Sequence, residues 1–192
     1  MSNKPAKLVI LDRDGVINIP APERGYVTTP SEWEPLPGAL NAIARLNRAG
    51  YRVVIATNQA GIGRGVMTIE ALHQVHEKLH DRLMEHGGHI DAIFYCPHRP
   101  DDRCECRKPK PGMLLNIAER LHCSLDGVPF VGDSHRDISA AIEAGASPVL
   151  VLTGDGESTE HELTDRERAL TSVFSDLGAM VDEWLTESPT IR

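Results

Sequence analysis

Asp12 and Asp14 stand two residues apart just past the apolar run Leu8-Val9-Ile10-Leu11, with Gly15 directly behind them. A carboxylate pair in this spacing reads equally as a solvated turn with a permissive glycine or as acid/base machinery. Later features tip the balance. Thr57 and Asn58 end a second apolar run, Lys108 ends a cysteine-rich stretch, and Asp133-Ser134-His135-Arg136-Asp137 follows a further apolar run. Carboxylates, a hydroxyl and an ammonium in this order are the groups a phosphate site needs. The carboxylates serve as nucleophile, acid/base and cation ligands, and the donors face the charged oxygens of the phosphoryl group.

A second constellation is metallic. Cys96, His98, Cys104 and Cys106 form a C-x-H-x5-C-x-C pattern inside a proline-rich, charged segment. Three thiols and one imidazole complete a closed tetrahedral zinc site with no open position for chemistry, so the zinc expected here is structural. A loop with few apolar residues cannot order itself by burial, whereas metal binding supplies that free energy. The loop runs directly into Arg107 and Lys108, so ordering it positions Lys108. Cys123 lies outside the pattern and reads as a core or partly buried thiol.

The elements that must position these residues alternate between two periods. Runs rich in β-branched residues predict strands at 7–11, 51–56, 92–95, 128–131 and 148–152. Helical spacing covers 39–48, 68–86, 112–121 and 137–144, with Gly50, Gly87 and Gly145 placed as stops. Such alternation predicts a doubly wound, Rossmann-like α/β fold with a parallel sheet. Ligands bind outside the carboxyl ends of the strands in open sheets of this kind, and Asp12, Thr57 and Asp133 fall at those ends. Residues 155–168 are polar and acidic without a clear period, and a last helix is expected over 177–185.

The 192 residues carry a net charge of −8, with 41% hydrophobic and 25% charged residues, and show no internal repeat. One domain spanning 1–192 is expected. The negative charge argues against nucleic acid as a partner, because such binders neutralise phosphates with basic patches. No run is long and apolar enough for a membrane helix, and the first residues lack a signal peptide's apolar core, so a cytoplasmic monomer with no membrane partner is expected.

The four motifs Asp12-Arg13-Asp14-Gly15-Val16-Ile17-Asn18, Ala56-Thr57-Asn58-Gln59, Cys106-Arg107-Lys108-Pro109 and Val131-Gly132-Asp133 resemble those of the haloacid dehalogenase superfamily, in order and over most of the chain. The resemblance implies a Mg²⁺-dependent phosphatase. Asp12 would attack phosphorus and form an aspartyl phosphate, while Asp14 would protonate the leaving alkoxide and then deprotonate the hydrolytic water. Thr57 and Lys108 would bind the phosphoryl oxygens. Asp12, the backbone carbonyl of Asp14 and Asp133 would hold Mg²⁺. Many members carry lysine directly after the fourth-motif aspartate, where this chain has Ser134. Asp137 would be a first-turn acid of a helix or a support for the metal site.

The spacings leave no room for a full cap domain, so the fold expected by resemblance is capless with a zinc-bound loop, and surface loops set specificity. Among capless members, the chain is similar to those acting on a small sugar that carries two phosphates. Arg24, Gly25, Tyr26, Asn58, Gln59, Ala60 and Arg107 would then contact the sugar or its second phosphate. Glu23, Glu32 and Glu34 keep open a second substrate, histidinol phosphate, whose ammonium and imidazole need acidic partners. A non-catalytic receiver domain also gathers Asp, Thr, Lys and Mg²⁺, but it carries its acceptor on a later strand and lacks an acid/base at the position of Asp14. The run Gly61-Ile62-Gly63-Arg64-Gly65 lacks the spacing of a nucleotide loop and reads as a flexible loop over the site. His73, His76 and His80 read as a solvated helix face without function.

Overall fold

Leu8 to Leu11 is buried along its whole length, and a strand covered on both faces belongs in the middle of a parallel sheet. In the computed structural model, which describes residues 7–21 and 26–187, it does. The elements run β1 (Leu8–Leu11), α1 (Ala39–Arg48), β2 (Arg52–Asn58), α2 (Ala60–Gly63), α3 (Ile69–Glu85), β3 (Ala92–Cys96), α4 (Gly112–Leu121), β4 (Pro129–Gly132), α5 (His135–Ala144), β5 (Ser147–Val151), α6 (Gly156–Glu162), α7 (Asp165–Leu170), β6 (Ser172–Phe174) and α8 (Leu177–Glu187). The strands pair in the order β3-β2-β1-β4-β5-β6. Every pairing is parallel.

Alternation along β1 sends neighbouring side chains to opposite faces. Val9 and Leu11 join a core with Leu40, Ile43 and Leu46 of α1, Leu72, Val75 and Leu79 of α3, and Met180 and Val181 of α8. Leu8 and Ile10 join the opposite core with Leu114 and Ile117 of α4 and Ala140 and Ala141 of α5. From β1 the chain first builds outward through β2 and β3, then returns to lay β4 on the other side of β1. The order therefore reverses between β1 and β4, and the crevice that such a reversal opens lies just past Leu11 and Gly132, where Asp12 and Asp133 stand.

The expected strands and long helices are present, with ends shifted by one or two residues. Five elements depart from the sequence reading. Helix α5 begins at His135 rather than 137, because Ser134 caps it: the Ser134 amide and hydroxyl both donate to Asp137 Oδ2, at 3.1 and 2.6 Å. Residues 156–170 form α6 and α7 instead of an aperiodic segment, with α7 started by Thr164, whose side chain accepts from the Glu167 amide. Strand β6 extends the sheet beside β5. Finally, the run expected to be a flexible loop holds the helical turn α2, and the Gly63 amide donates to the Pro97 carbonyl at 2.9 Å. Between β1 and α1 the described residues hold only a short 3₁₀ turn at Pro30–Glu32, and no helix among them is long and apolar enough to cross a membrane.

Candidate active site

A turn after β1 presents the first two aspartates. The Arg13 carbonyl accepts the Ile17 and Asn18 amides, and the Gly15 amide donates to the Asn18 carbonyl at 2.8 Å, curling the chain back under itself. Gly15 makes the curl possible in two ways. Its φ of +85° suits glycine, and a Cβ there would lie 1.9 Å from Asp133 Oδ2. Gly154, after β5, approaches the same oxygen, and a Cβ there would lie 2.0 Å from it and 2.8 Å from the Gly15 Cα. Two glycines thus make a cradle around the Asp133 carboxylate.

Lys108 sits at the centre, 1% exposed. Its ammonium lies 2.9 Å from Asp12 Oδ2, 2.6 Å from Asp137 Oδ1 and 2.9 Å from the Ala56 carbonyl, which together account for its three protons. Asn58 clips the Lys108 backbone on both sides, donating to its carbonyl at 3.0 Å and accepting its amide at 3.2 Å. Thr57 Oγ1 accepts from Gln59 Nε2 at 2.9 Å, and the same amide nitrogen reaches Asp14 Oδ2 at 3.2 Å. Asp14 is held further by Arg13, whose Nη2 lies 2.8 Å from Oδ2, and by Asn18 Nδ2 at 2.9 Å from Oδ1.

The charges do not balance. Asp12, Asp14, Asp133 and Asp137 bring four carboxylates, against the two cations Arg13 and Lys108. Arg13 is committed to Asp14, Lys108 is shared by Asp12 and Asp137, and among the described residues no lysine or arginine is paired with Asp133. Burial, reinforced by the charges of Asp12 and Asp137, pushes the Asp133 carboxyl up to about 8. Asp12 is likewise pushed up to about 6, by burial first, with Asp137 and Asp14 adding to it and Lys108 opposing. Burial also pushes Asp14 up, but the Arg13 guanidinium and the hydrogen bonds from Asn18, Arg13 and Gln59 outweigh it and hold that carboxyl below its usual range. Oxygens of Asp12, Asp133 and Asp137 lie within 4.8 Å of one another. A hard divalent cation fits this donor set, since it takes oxygen ligands and supplies the two missing positive charges.

The second cluster is equally compact. Sγ of Cys106 lies 3.4 Å from that of Cys96, 3.6 Å from that of Cys104 and 3.3 Å from His98 Nδ1. These separations suit the edges of a tetrahedron around an ion about 2.0–2.3 Å from each ligand. Burial pushes the Cys96 thiol up to about 12, the shift expected of a closely packed thiol with no cation beside it.

A cavity of about 480 Å³ opens above the carboxylates, within the range of small-ligand sites. Asp12, Asp14, Tyr26, Thr57, Asn58, Arg107, Lys108 and Asp133 line it, as the sequence reading expects. Gln59 and Ala60 do not: Gln59 is 1% exposed and spends its amide on Asp14 and Thr57, while Ala60 is buried at the start of α2. Neither residue lines this cavity as it stands. Arg24 and Gly25 lie outside the described residues. Sequence reasoning missed Arg136 and Asp155, which also line the cavity. Arg136 stands two places after Ser134, so a cation does border the site near the position where many superfamily members carry lysine. The histidine stripe also needs correction: His76 is 7% exposed and faces Arg13, while His73 remains exposed.

This parallel sheet, with two aspartates past its first strand and another past its fourth, has the plan of the haloacid dehalogenase-like hydrolases. The HAD-hydrolase-like family model matches residues 105–180. A D-glycero-beta-D-manno-heptose-1,7-bisphosphate 7-phosphatase of Bordetella bronchiseptica is 50% identical over 182 residues, 95% of this chain and 99% of its own length. The enzyme of that name from Pseudomonas putida is 50% identical over 92% of this chain and 98% of its own. The crystal structure of the D,D-heptose 1,7-bisphosphate phosphatase from B. bronchiseptica, complexed with magnesium and phosphate, superposes with a TM-score of 0.88 at 49% identity, covering 94% of this chain and 99% of that one. The chain belongs to the haloacid dehalogenase-like hydrolases, in the family of these heptose bisphosphate phosphatases.

The raised carboxyls make the site's charge deficit measurable. Asp12 at about 6 and Asp133 at about 8 both lie above their ordinary 3.8, so between roughly pH 4 and pH 8 the folded chain keeps protons that the unfolded chain releases. Their contribution to stability is full below that window and is lost as pH rises through it. Thermal denaturation in magnesium-free buffer should give a Tm that falls across the window, with added Mg²⁺ restoring most at its upper end. A flat or rising Tm, unaffected by Mg²⁺, contradicts the deficit.

Proposed function

We propose that the protein removes the C7 phosphate of D-glycero-beta-D-manno-heptose 1,7-bisphosphate, working as a cytoplasmic, capless, single-domain monomer. The observation that carries this reading is the placement of the Asp12 carboxylate in the cavity, 2.9 Å from the buried Lys108 ammonium, in a chain half identical to phosphatases of that bisphosphate. Such a reaction has its place in making the activated heptose of the lipopolysaccharide core.

In this mechanism Asp12 attacks phosphorus in line with the departing sugar oxygen and becomes an aspartyl phosphate. Asp14 gives a proton to that oxygen, then takes one from the water that cleaves the aspartyl phosphate, so one carboxyl group serves both halves. Lys108 and Thr57 face the equatorial oxygens, where charge spreads in the transition state. Asp137, held by the Ser134 amide and hydroxyl, in turn holds Lys108 in line. Asp12, Asp133 and the Asp14 carbonyl would hold Mg²⁺, whose chemistry is to offset the repulsion between an anionic nucleophile and an anionic phosphate. Cys96, His98, Cys104 and Cys106 would hold a structural Zn²⁺ that keeps Arg107 and Lys108 in place.

The substrate reading rests on the walls. Arg107 and Arg136 both border the cavity, and neither forms an ion pair among the described residues; Arg107 Nη1 donates to the His98 carbonyl at 3.5 Å, and the charge of both guanidinium groups is available to a second phosphate. Tyr26 offers its ring and hydroxyl to the sugar. Of the acids that would receive histidinol, Glu23 lies outside the described residues, and Glu32 and Glu34 have other partners. Glu32 Oε2 accepts from the Thr28 amide and hydroxyl, at 2.8 and 2.9 Å, and Glu34 lies 3.7 Å from Lys78. The net charge of −8 and the small anionic pocket favour a metabolite over a nucleic acid.

Replacing Asp12 by Asn should abolish turnover without unfolding the chain, and the unaltered protein should show a higher kcat/KM for the bisphosphate than for histidinol phosphate, with the C7 phosphate released first. Near-normal turnover by Asp12→Asn sinks the mechanism. Preference for histidinol phosphate sinks the substrate alone. For the loop, metal analysis should find one zinc per chain, and Cys104→Ser should lower Tm and slow turnover through Lys108. Zinc-free protein with all four ligands intact and full activity would defeat that role.

A further inference from the structure

Arg13 is fully buried, a costly place for a charge unless every donor is met. Its Nε and Nη2 are spent on Asp14, at 3.1, 2.9 and 2.8 Å. That leaves Nη1, which lies 3.3 Å from Nε2 of His76. The guanidinium can only donate, so Nε2 must be the bare nitrogen, and the ring's proton sits on Nδ1. Helix α3 delivers this imidazole. Thr68 caps the helix, Leu72, Val75, Leu79 and Leu83 fix its buried face, and His76 falls on the same stripe. The groups facing the ring are Arg13 and the Asp14 charge beyond it, His73 and His80 from its own helix, and Tyr95 of β3, with ring centroids 6.4 Å apart. Burial, with the Arg13 charge added, pushes the His76 imidazole down to about 3, so it stays a neutral acceptor.

We propose that His76 is a positioning residue for the reaction: through Arg13 it orients the Asp14 carboxylate for the water that cleaves the aspartyl phosphate. The proposal rests on the function given above. Both Asp14 oxygens meet only donors, from Arg13, Asn18 and Gln59, so once its proton has passed to the leaving oxygen the clamp holds this group as an acceptor. An acceptor is what the second half-reaction requires. There the water oxygen bonds to phosphorus as Asp14 takes a water proton, and the bond from phosphorus to the Asp12 oxygen breaks, releasing phosphate and returning the Asp12 carboxylate. Without the acceptor on α3, the Arg13 fork is free to tilt and takes Asp14 with it. The family's motifs contain Arg13 and Asp14, whereas His76 lies in none of them.

The test is rapid-quench kinetics on the full-length, metal-replete protein with p-nitrophenyl phosphate, whose leaving group needs no acid, so that the second half-reaction limits turnover. His76→Phe keeps a ring against Tyr95 but removes the acceptor. It should lower kcat by about 10-fold, part of the ~10²–10⁴-fold that proton transfer supplies, and raise the steady-state fraction of phosphorylated Asp12. His76→Gln places an amide oxygen near the position of Nε2 and should restore both values toward the unaltered protein. The proposal is overturned if His76→Phe turns over normally, if its kcat falls with no rise in phosphoenzyme, or if His76→Gln is no better than His76→Phe at equal Tm. If the unaltered protein forms no phosphoenzyme at all, the aspartyl phosphate reading itself fails, a different outcome from any of these.

Discussion

The site depends on one ammonium among too many carboxylates. Lys108 is buried between Asp12 and Asp137, and its third proton goes to the Ala56 carbonyl, so a single charge ties together the turn after β1, the end of β2 and the start of α5. Burial in itself works against a charged lysine, but the two carboxylates beside it outweigh that cost and hold its pKa above the ordinary value. Removing either acid would leave an uncompensated buried charge, which is among the costlier defects a core can carry. Asp133 stands next to this arrangement, and among the described residues no lysine or arginine is paired with it. The folded chain is therefore electrostatically incomplete, and a divalent cation is the natural complement.

That arrangement needs the Lys108 backbone fixed in place. Asn58 grips its backbone from β2, and the Cys96 to Cys106 loop leads into it. The cysteine cluster lies far from the phosphate chemistry in role but near it in chain. Metal ligation at the cluster would order this hydrophilic loop in place of the apolar packing it lacks. Helix α5 serves the same end through its cap, because the acid that stabilises the helix start, Asp137, is also a partner of Lys108. Likewise the Thr153 hydroxyl donates to the Gly15 carbonyl at 2.6 Å and the Asp155 amide donates to Asp133 Oδ2 at 3.0 Å, so the loop after β5 closes the cradle.

Much of this was legible in the residues because local signals and tertiary demands agree. The apolar runs and glycine stops located the strands and long helices, and Asp12, Thr57, Lys108 and Asp133 converge because all follow elements that end at one edge of the sheet. Helices α6 and α7 were illegible because they are one or two turns long and acidic, held by Thr159 on the Asp133 carbonyl and by the Thr164 cap rather than by an apolar stripe. His76 had a signal that was overlooked. It lies four residues after Leu72 and three before Leu79, on the buried stripe, whereas His73 lies off it. Gln59, which the family resemblance makes a substrate contact, spends its side-chain amide on Asp14 and Thr57, a pairing no sequence pattern announces. No pattern in the chain could mark Arg136 or Asp155, since one stands in the first turn of α5 and the other just before α6, and only the folded sheet brings them to one cavity.

The central claim is that the acid cluster folds with a charge deficit that a divalent cation fills. The most direct measurement is calorimetric titration of Mg²⁺ into the metal-free protein and into Asp133→Asn, with the Tm of each recorded before titration. The account predicts one Mg²⁺ bound by the unaltered chain, little or none by Asp133→Asn, and, above pH 8 where the Asp133 carboxyl is ionised, a higher metal-free Tm for Asp133→Asn because a buried like charge has been removed. A variant that binds Mg²⁺ as tightly as the unaltered chain, or that melts lower without metal, contradicts it.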